Sequence, residues 1–175
     1  MKGSQTIVPI LTLSIGVLTM LVAPAIADES MEARVVKVFD GDAILVVGKD
    51  QTEHEVKLEG IDAPELKQEF GSESAEALTR MLQDKTVRLT WANKDKFERP
   101  LAQVYLADKH INLEMLKNGM AWHFKRYNKS EELAKAEAMA KAAKKGLWAK
   151  DAPVAPWTYR QDSKSPDKPF KSNAK

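Results

Sequence analysis

Apolar positions recur along this chain with two different periods. Ala33–Phe39 and Ala43–Val47 are β-branched runs separated by Asp40-Gly41-Asp42. A glycine flanked by aspartates between two such runs predicts a tight hairpin turn. Glu55–Gly60 alternates, with Val56 and Leu58 on one face and Lys57 and Glu59 on the other. Val87–Trp91 alternates in the same way through Val87, Leu89 and Trp91, and Leu101–Leu106 through Ala102, Val104 and Leu106. The charged stretch Asn93–Pro100 between these last two reads as a loop. Elsewhere the period is helical. Gly71–Gln83 carries Ala75, Leu78, Met81 and Leu82 on one stripe, and Asn112–Asn118 stops at Gly119. Ser130–Lys145 carries Leu133, Ala136, Met139/Ala140 and Ala143, and stops at Gly146.

Five short strands with about three helices predict an α+β chain, mainly a β-barrel. The five-stranded Greek-key barrel of the OB-fold is the commonest architecture of that kind. The barrel is expected within residues 28–150. Before it, Lys2 is followed by an uncharged stretch from Gly3 to Ala27 that ends in Ala25-Ile26-Ala27. A basic start, an apolar run and an A-x-A exit predict a signal peptide over residues 1–27, and hence an exported protein, periplasmic or secreted. An uncleaved anchor is the alternative, since the stretch is long enough to span a bilayer. After Trp148 the chain turns rich in Pro, Lys, Ser and Asp, so residues 151–175 read as a disordered tail. A monomer is the default expectation for such an isolated barrel.

Composition narrows the chemistry. With no cysteine among 175 residues, a disulfide scaffold, a zinc finger and a thiol nucleophile are excluded. His54, His110 and His123 are scattered, without the spacing of metal ligands. The formal net charge of +2 is too small to argue for a nucleic-acid partner by itself. Local placement is more informative. Asp40 and Asp42 flank one turn, while Asp62 and Glu65 flank Ala63-Pro64, a corner stiffened by proline directly after a strand. If the two corners meet at one end of a barrel, three or four carboxylates converge. Such crowding calls for a cation, and oxygen ligands alone favour Ca²⁺ or Mg²⁺. The plainer reading is a hairpin turn and a loop. Two basic candidates accompany these acids, Lys57 five residues before Asp62 and Arg99 in the loop Asp95–Pro100, and a hard metal, two cations and a carboxylate base would suit phosphodiester hydrolysis.

The ordered set of motifs carries a resemblance. DGDA at Asp40–Ala43, GIDAPE at Gly60–Glu65, DKFERPLA at Asp95–Ala102, NLEMLKNGMAW at Asn112–Trp122 and AKAEAMAKAAKKGLW at Ala134–Trp148 together resemble the staphylococcal (micrococcal) nuclease family. The similarity runs from about Val35 to Trp148. It implies an OB-fold and a Ca²⁺-dependent endonuclease that cleaves DNA and RNA to leave 3′-phosphates. By the same resemblance, Asp42 and Asp62 are metal carboxylates and Ala63 contributes its backbone carbonyl. Glu65 orients or deprotonates the attacking water, and Arg99 stabilises the transition state. Lys57 stands where the family has a second catalytic arginine. Lys96, Phe97 and Tyr127 fall at nucleotide-contacting positions.

Several positions depart from the family pattern. Lysine at 57 offers a point charge where arginine would offer a planar fork, a loss of ~1–3 kcal/mol in transition-state stabilisation if no nearby residue compensates. Phe97 keeps a ring but lacks a phenol, Lys125 replaces a tyrosine, Ala43 a threonine, and Pro100 stiffens the loop after Arg99. A non-catalytic OB-fold binding module is the rival reading. A Mg²⁺ phosphatase fits the ligand chemistry but not the motif order.

Overall fold

A computed structural model describes residues 29–163; the expected signal peptide and the last twelve residues of the expected tail lie outside the described residues. In chain order the elements are β1 (Glu29–Val38), β2 (Ala43–Gly48), β3 (Glu53–Leu58), β4 (Ile61–Asp62), α1 (Gly71–Leu82), β5 (Thr86–Lys94), β6 (Pro100–Leu106), β7 (Lys109–His110), α2 (Ile111–Lys117), β8 (Trp122–His123), α3 (Glu131–Ala142), a 3₁₀ turn (Gly146–Ala149) and α4 (Pro156–Asp162). Among the described residues no helix is long and apolar enough to cross a membrane.

The main sheet runs β3-β2-β1-β5-β6-β7, and a parallel pairing of β3 with β6 closes it into a five-stranded barrel. This is the α+β barrel expected from the sequence. Its interior is filled by the inward members of each alternating run: Val35, Ile44 and Val46, Val56 and Leu58, Leu89, Ala102 and Val104. Leu78 and Leu82 of α1 and Ile111, Met115 and Leu116 of α2 belong to the same core.

The seam between β3 and β6 is short, with Lys57 opposite Leu101 and Leu58 opposite Ala102. Asn112, fully buried at the start of α2, bolts it. Its Oδ1 accepts from the Val104 amide at 3.0 Å, and its Nδ2 donates to the carbonyls of Glu59 and Ala102, each at 2.9 Å.

Four details differ from the sequence expectation. β1 begins at Glu29 rather than Ala33, because Glu29–Arg34 pair with Trp91–Thr86 of β5. Those polar residues carry no strand signal of their own. On α1 the buried stripe is turned toward Ser74 and Ala77, with Ala75 only partly covered, because the Ser74 hydroxyl donates to the Met120 carbonyl at 2.6 Å. On α3 Met139 is exposed and Glu137 is buried in its stead. Burial acts to raise the Glu137 carboxyl, but Lys125, Lys141 and the His123 amide outweigh it and hold it below the ordinary glutamate range. Finally, the described residues hold four α-helices where about three were expected. Residues 156–162, expected to belong to a disordered tail, form α4, with Pro156 buried in its first turn.

Asn112→Ala leaves the Val104 amide and the Glu59 carbonyl without their side-chain partner, while the Ala102 carbonyl keeps the Glu59 amide, and is expected to cost about 2–4 kcal/mol. Urea unfolding measures this; a midpoint equal to the parent's would show that the seam does not depend on the bolt.

Candidate active site

Two chain reversals meet at one end of the barrel. The first is the β1–β2 hairpin, closed by the Phe39 amide donating to the Ala43 carbonyl at 2.9 Å. Within it the Asp42 amide donates to Asp40 Oδ1 at 2.9 Å, an Asx-type turn that sends the Asp42 side chain inward. The second is the corner after β4, where Pro64 fixes the backbone between Ala63 and Glu65. The Ala63 amide donates to Asp42 Oδ2 at 2.9 Å and joins the two.

Glycines permit this approach. A Cβ on Gly41 would stand 1.8 Å from Ser74 Oγ and 2.7 Å from the Ala63 Cβ. A Cβ on Gly71 would stand 1.9 Å from the carbonyl oxygen of Glu65. The turn that carries Glu65 therefore lies directly against the start of α1.

Asp42 and Asp62 are both 2% exposed. Burial first, and then the negative charge of Asp42, push the Asp62 carboxyl up to about 6, despite the opposing contribution of Arg160. Desolvation and Asp42 likewise hold Asp40 well above the usual carboxylate range. These are the electrostatics of acids short of positive charge. Two cations answer them. Lys57 Nζ lies 3.2 Å from Asp42 Oδ1. Arg160, from α4, meets Asp62 with both terminal nitrogens, Nη1 to Oδ1 at 3.0 Å and Nη2 to Oδ2 at 2.7 Å. Its Nη1 also donates to Glu65 Oε1 at 2.8 Å.

The expectation of three or four converging carboxylates holds only in part. Asp42, Asp62 and Ala63 are brought together, but Glu65 is held on Arg160. Among the described residues no three acidic or imidazole side chains are grouped to hold a metal ion. The donors present are nonetheless all oxygens, two of them buried carboxylates whose charge is only partly offset, and they fit a hard divalent cation.

Arg99 is 4% exposed and engaged elsewhere. Its Nε donates to Asp95 Oδ2 at 2.7 Å and its Nη1 to Glu55 Oε1 at 2.9 Å. Glu55 shares a face of β3 with Lys57, so Arg99 is tethered about 7 Å along the strand from it. Asp95 also builds the loop itself, since its Oδ1 accepts from the amides of Phe97 at 2.8 Å and Arg99 at 3.0 Å.

Beside the carboxylates opens a cavity of about 810 Å³. Lys57 and Asp62 form part of its lining, together with the expected Lys96, Phe97 and Tyr127. Phe124, Trp157 and Arg160 complete its aromatic and cationic wall. Tyr127 is 73% exposed, and Lys96 lies over the Phe97 ring at 4.9 Å.

A model of the staphylococcal nuclease homologues matches residues 55–150. An uncharacterized endonuclease of Haemophilus influenzae is 40% identical over 147 residues, 84% of this chain and 83% of that protein. The chain belongs to the staphylococcal nuclease family. By that membership it is a nuclease-type hydrolase. An uncharacterized endonuclease of Escherichia coli O157:H7 is 37% identical over 131 residues, covering 74% of this chain and 85% of that protein. A probable staphylococcal-like nuclease of rice, CAN3, is 43% identical over 112 residues, 64% of this chain but only 30% of the rice protein. The family match ends at residue 150, so it does not reach Arg160. Sequence reasoning missed that residue as well. Its one local signal was Trp157, a large ring three residues before a cation in the proline-rich segment after Trp148.

Gly41→Ala forces the hairpin away from α1 and Ala63, and is expected to lower stability by about 1–3 kcal/mol. Chemical denaturation reads this directly; an unchanged midpoint would mean that the two corners need no such close approach.

Proposed function

We propose that the protein is a calcium-dependent endonuclease that hydrolyses phosphodiester bonds of DNA and RNA with little sequence preference and leaves 3′-phosphate ends. The observation that carries this reading is the junction of Asp42 and Asp62 beside Lys57 and Glu65, at the edge of a cavity walled by aromatic rings and cations.

Asp42, Asp62 and the carbonyl of Ala63 are the groups that would hold Ca²⁺. When bound there, the ion polarises a phosphoryl oxygen and offsets its charge. Glu65, 32% exposed in its side chain, is positioned to orient a water and take its proton. Lys57 and Arg99 supply positive charge to the phosphorus centre as the P–O5′ bond breaks. Arg99, paired with Asp95 and Glu55 in the structure, would do so by turning part of its guanidinium from them to the phosphate. Phe97, Tyr127 and Lys96 hold the nucleotide, the rings by stacking and the lysine by charge. Stacking accepts any base, which supports broad specificity. The uncharged, A-x-A-terminated leader supports export to the periplasm or beyond, where Ca²⁺ is plentiful, and the chain is taken to act as a monomer.

One observation favours a second reading, a binding module without turnover. Both oxygens of Asp62 and one of Glu65 are already neutralised by Arg160, and a site so paired can grip a strand without cutting it. Plasmid and RNA incubated with Ca²⁺, with Mg²⁺ and with chelator separate the two. Binding without cleavage in every condition would establish the module.

Two outcomes are expected for the enzyme. Glu65→Gln lowers kcat by about 10²–10⁴-fold with an unchanged melting temperature, and cleavage at the parental rate would remove Glu65 from the mechanism. Ca²⁺ raises the melting temperature of the parent, with a gain of about 2.7 kcal/mol at a hundredfold excess over Kd. Asp42→Asn abolishes that shift; an equal shift in the variant would place the ion elsewhere.

A further inference from the structure

α4 carries a guanidinium into the cavity from outside the region matched by the family. Its position is set by packing. The Trp157 ring stacks on Phe124, with centroids 5.5 Å apart and planes at 14°, and meets Trp122 edge-on at 5.5 Å. Arg160 follows three residues later, on the same helical face. The approach to α4 is pinned as well, because Gln68, three residues past Glu65, donates from Nε2 to the Val154 carbonyl at 2.7 Å.

The other two cations near the carboxylates are differently placed. Lys57 faces Asp42 as a point charge, and Arg99 is held between Asp95 and Glu55. Arg160 is the one arginine among the described residues that line the cavity. Its planar fork, which meets carboxylate oxygens at 2.7–3.0 Å, has the geometry that meets two phosphate oxygens equally well. A phosphodiester brought to Asp62 and Glu65 must lie against it.

We propose that Arg160 is a substrate-binding and catalytic residue of this site: it holds Asp62 and Glu65 in the resting protein and passes to the non-bridging oxygens of the scissile phosphate once Asp62 is given over to a divalent ion. This rests on the nuclease reading above. The exchange needs no movement of α4, since Trp157 keeps the helix docked and only the long side chain changes partner. It also supplies the two-pronged grip that an ammonium at position 57 does not provide.

Oligonucleotide binding tests this apart from turnover. In a Glu65→Gln background with saturating Ca²⁺, a short fluorescent single-stranded DNA is titrated at several salt concentrations. Arg160→Ala is expected to weaken binding about tenfold or more. It also makes the slope of log K against log salt shallower by about 0.7, the loss of one phosphate contact on a single strand. Arg160→Lys keeps both the charge and the folded state, so it retains the parental slope with an affinity between the two. With Glu65 restored, Arg160→Ala cuts DNA about 10²-fold more slowly than the parent. An Arg160→Ala protein with the parental affinity and slope, or one that cuts faster than the parent, would overturn the proposal and leave Arg160 as a resting counter-charge. If the parent itself neither binds nor cuts, the nuclease reading falls and the proposal with it.

Discussion

The structure turns on two carboxylates held side by side out of water. Asp42 and Asp62 come from separate reversals of the chain, and the Ala63 amide joins them through Asp42 Oδ2. Burial and mutual repulsion both work against ionised acids in such a place. The fold tolerates them because the strands are fixed by a well-packed barrel and the corners by close backbone contacts at Gly41 and Gly71. The unfavourable charge is thus built in by packing, and it is answered by whatever cation is at hand. In the resting protein these are Lys57 and Arg160.

The cavity beside them divides its labour. Lys57, Lys96 and Arg160 line it with positive charge, while Phe97, Phe124, Tyr127 and Trp157 offer ring surfaces. Under the proposed function, such a lining suits the backbone and the flat face that every base possesses. Positioning is likewise shared among distant parts of the chain: a hairpin gives Asp42, a proline corner gives Asp62 and Glu65, the Asp95 loop gives Lys96 and Phe97, and α4 gives Arg160.

Much of this was legible in the sequence, and what was not has physical reasons. The barrel strands announced themselves because each buries one face, so Val56 and Leu58 or Ala102 and Val104 had to alternate with polar neighbours. The DGD turn and the APE corner were legible because Gly and Pro restrict the backbone locally. The start of β1 was not, since Glu29–Glu32 owe their strand to β5 rather than to themselves. No local pattern marks Glu137 or Asn112 for burial, and only tertiary partners account for it. α4 was the largest omission. Seven residues are too few for a periodic pattern, and the helix owes its place to one tryptophan docked on rings some thirty positions earlier. Arg160 was invisible for the same reason, and the partners of Arg99 were hidden because charge pairs leave no periodic trace.

The bolt at Asn112 gives the molecule an unexpected mechanical wiring. The strand bearing Lys57 is joined to β6 through only two residue pairs, and the Glu59 amide donates to the same Ala102 carbonyl that Asn112 holds. The stiffness of one rim of the cavity therefore resides in a helix more than fifty positions downstream. A single amide in the interior thus sets how firmly Lys57 is mounted.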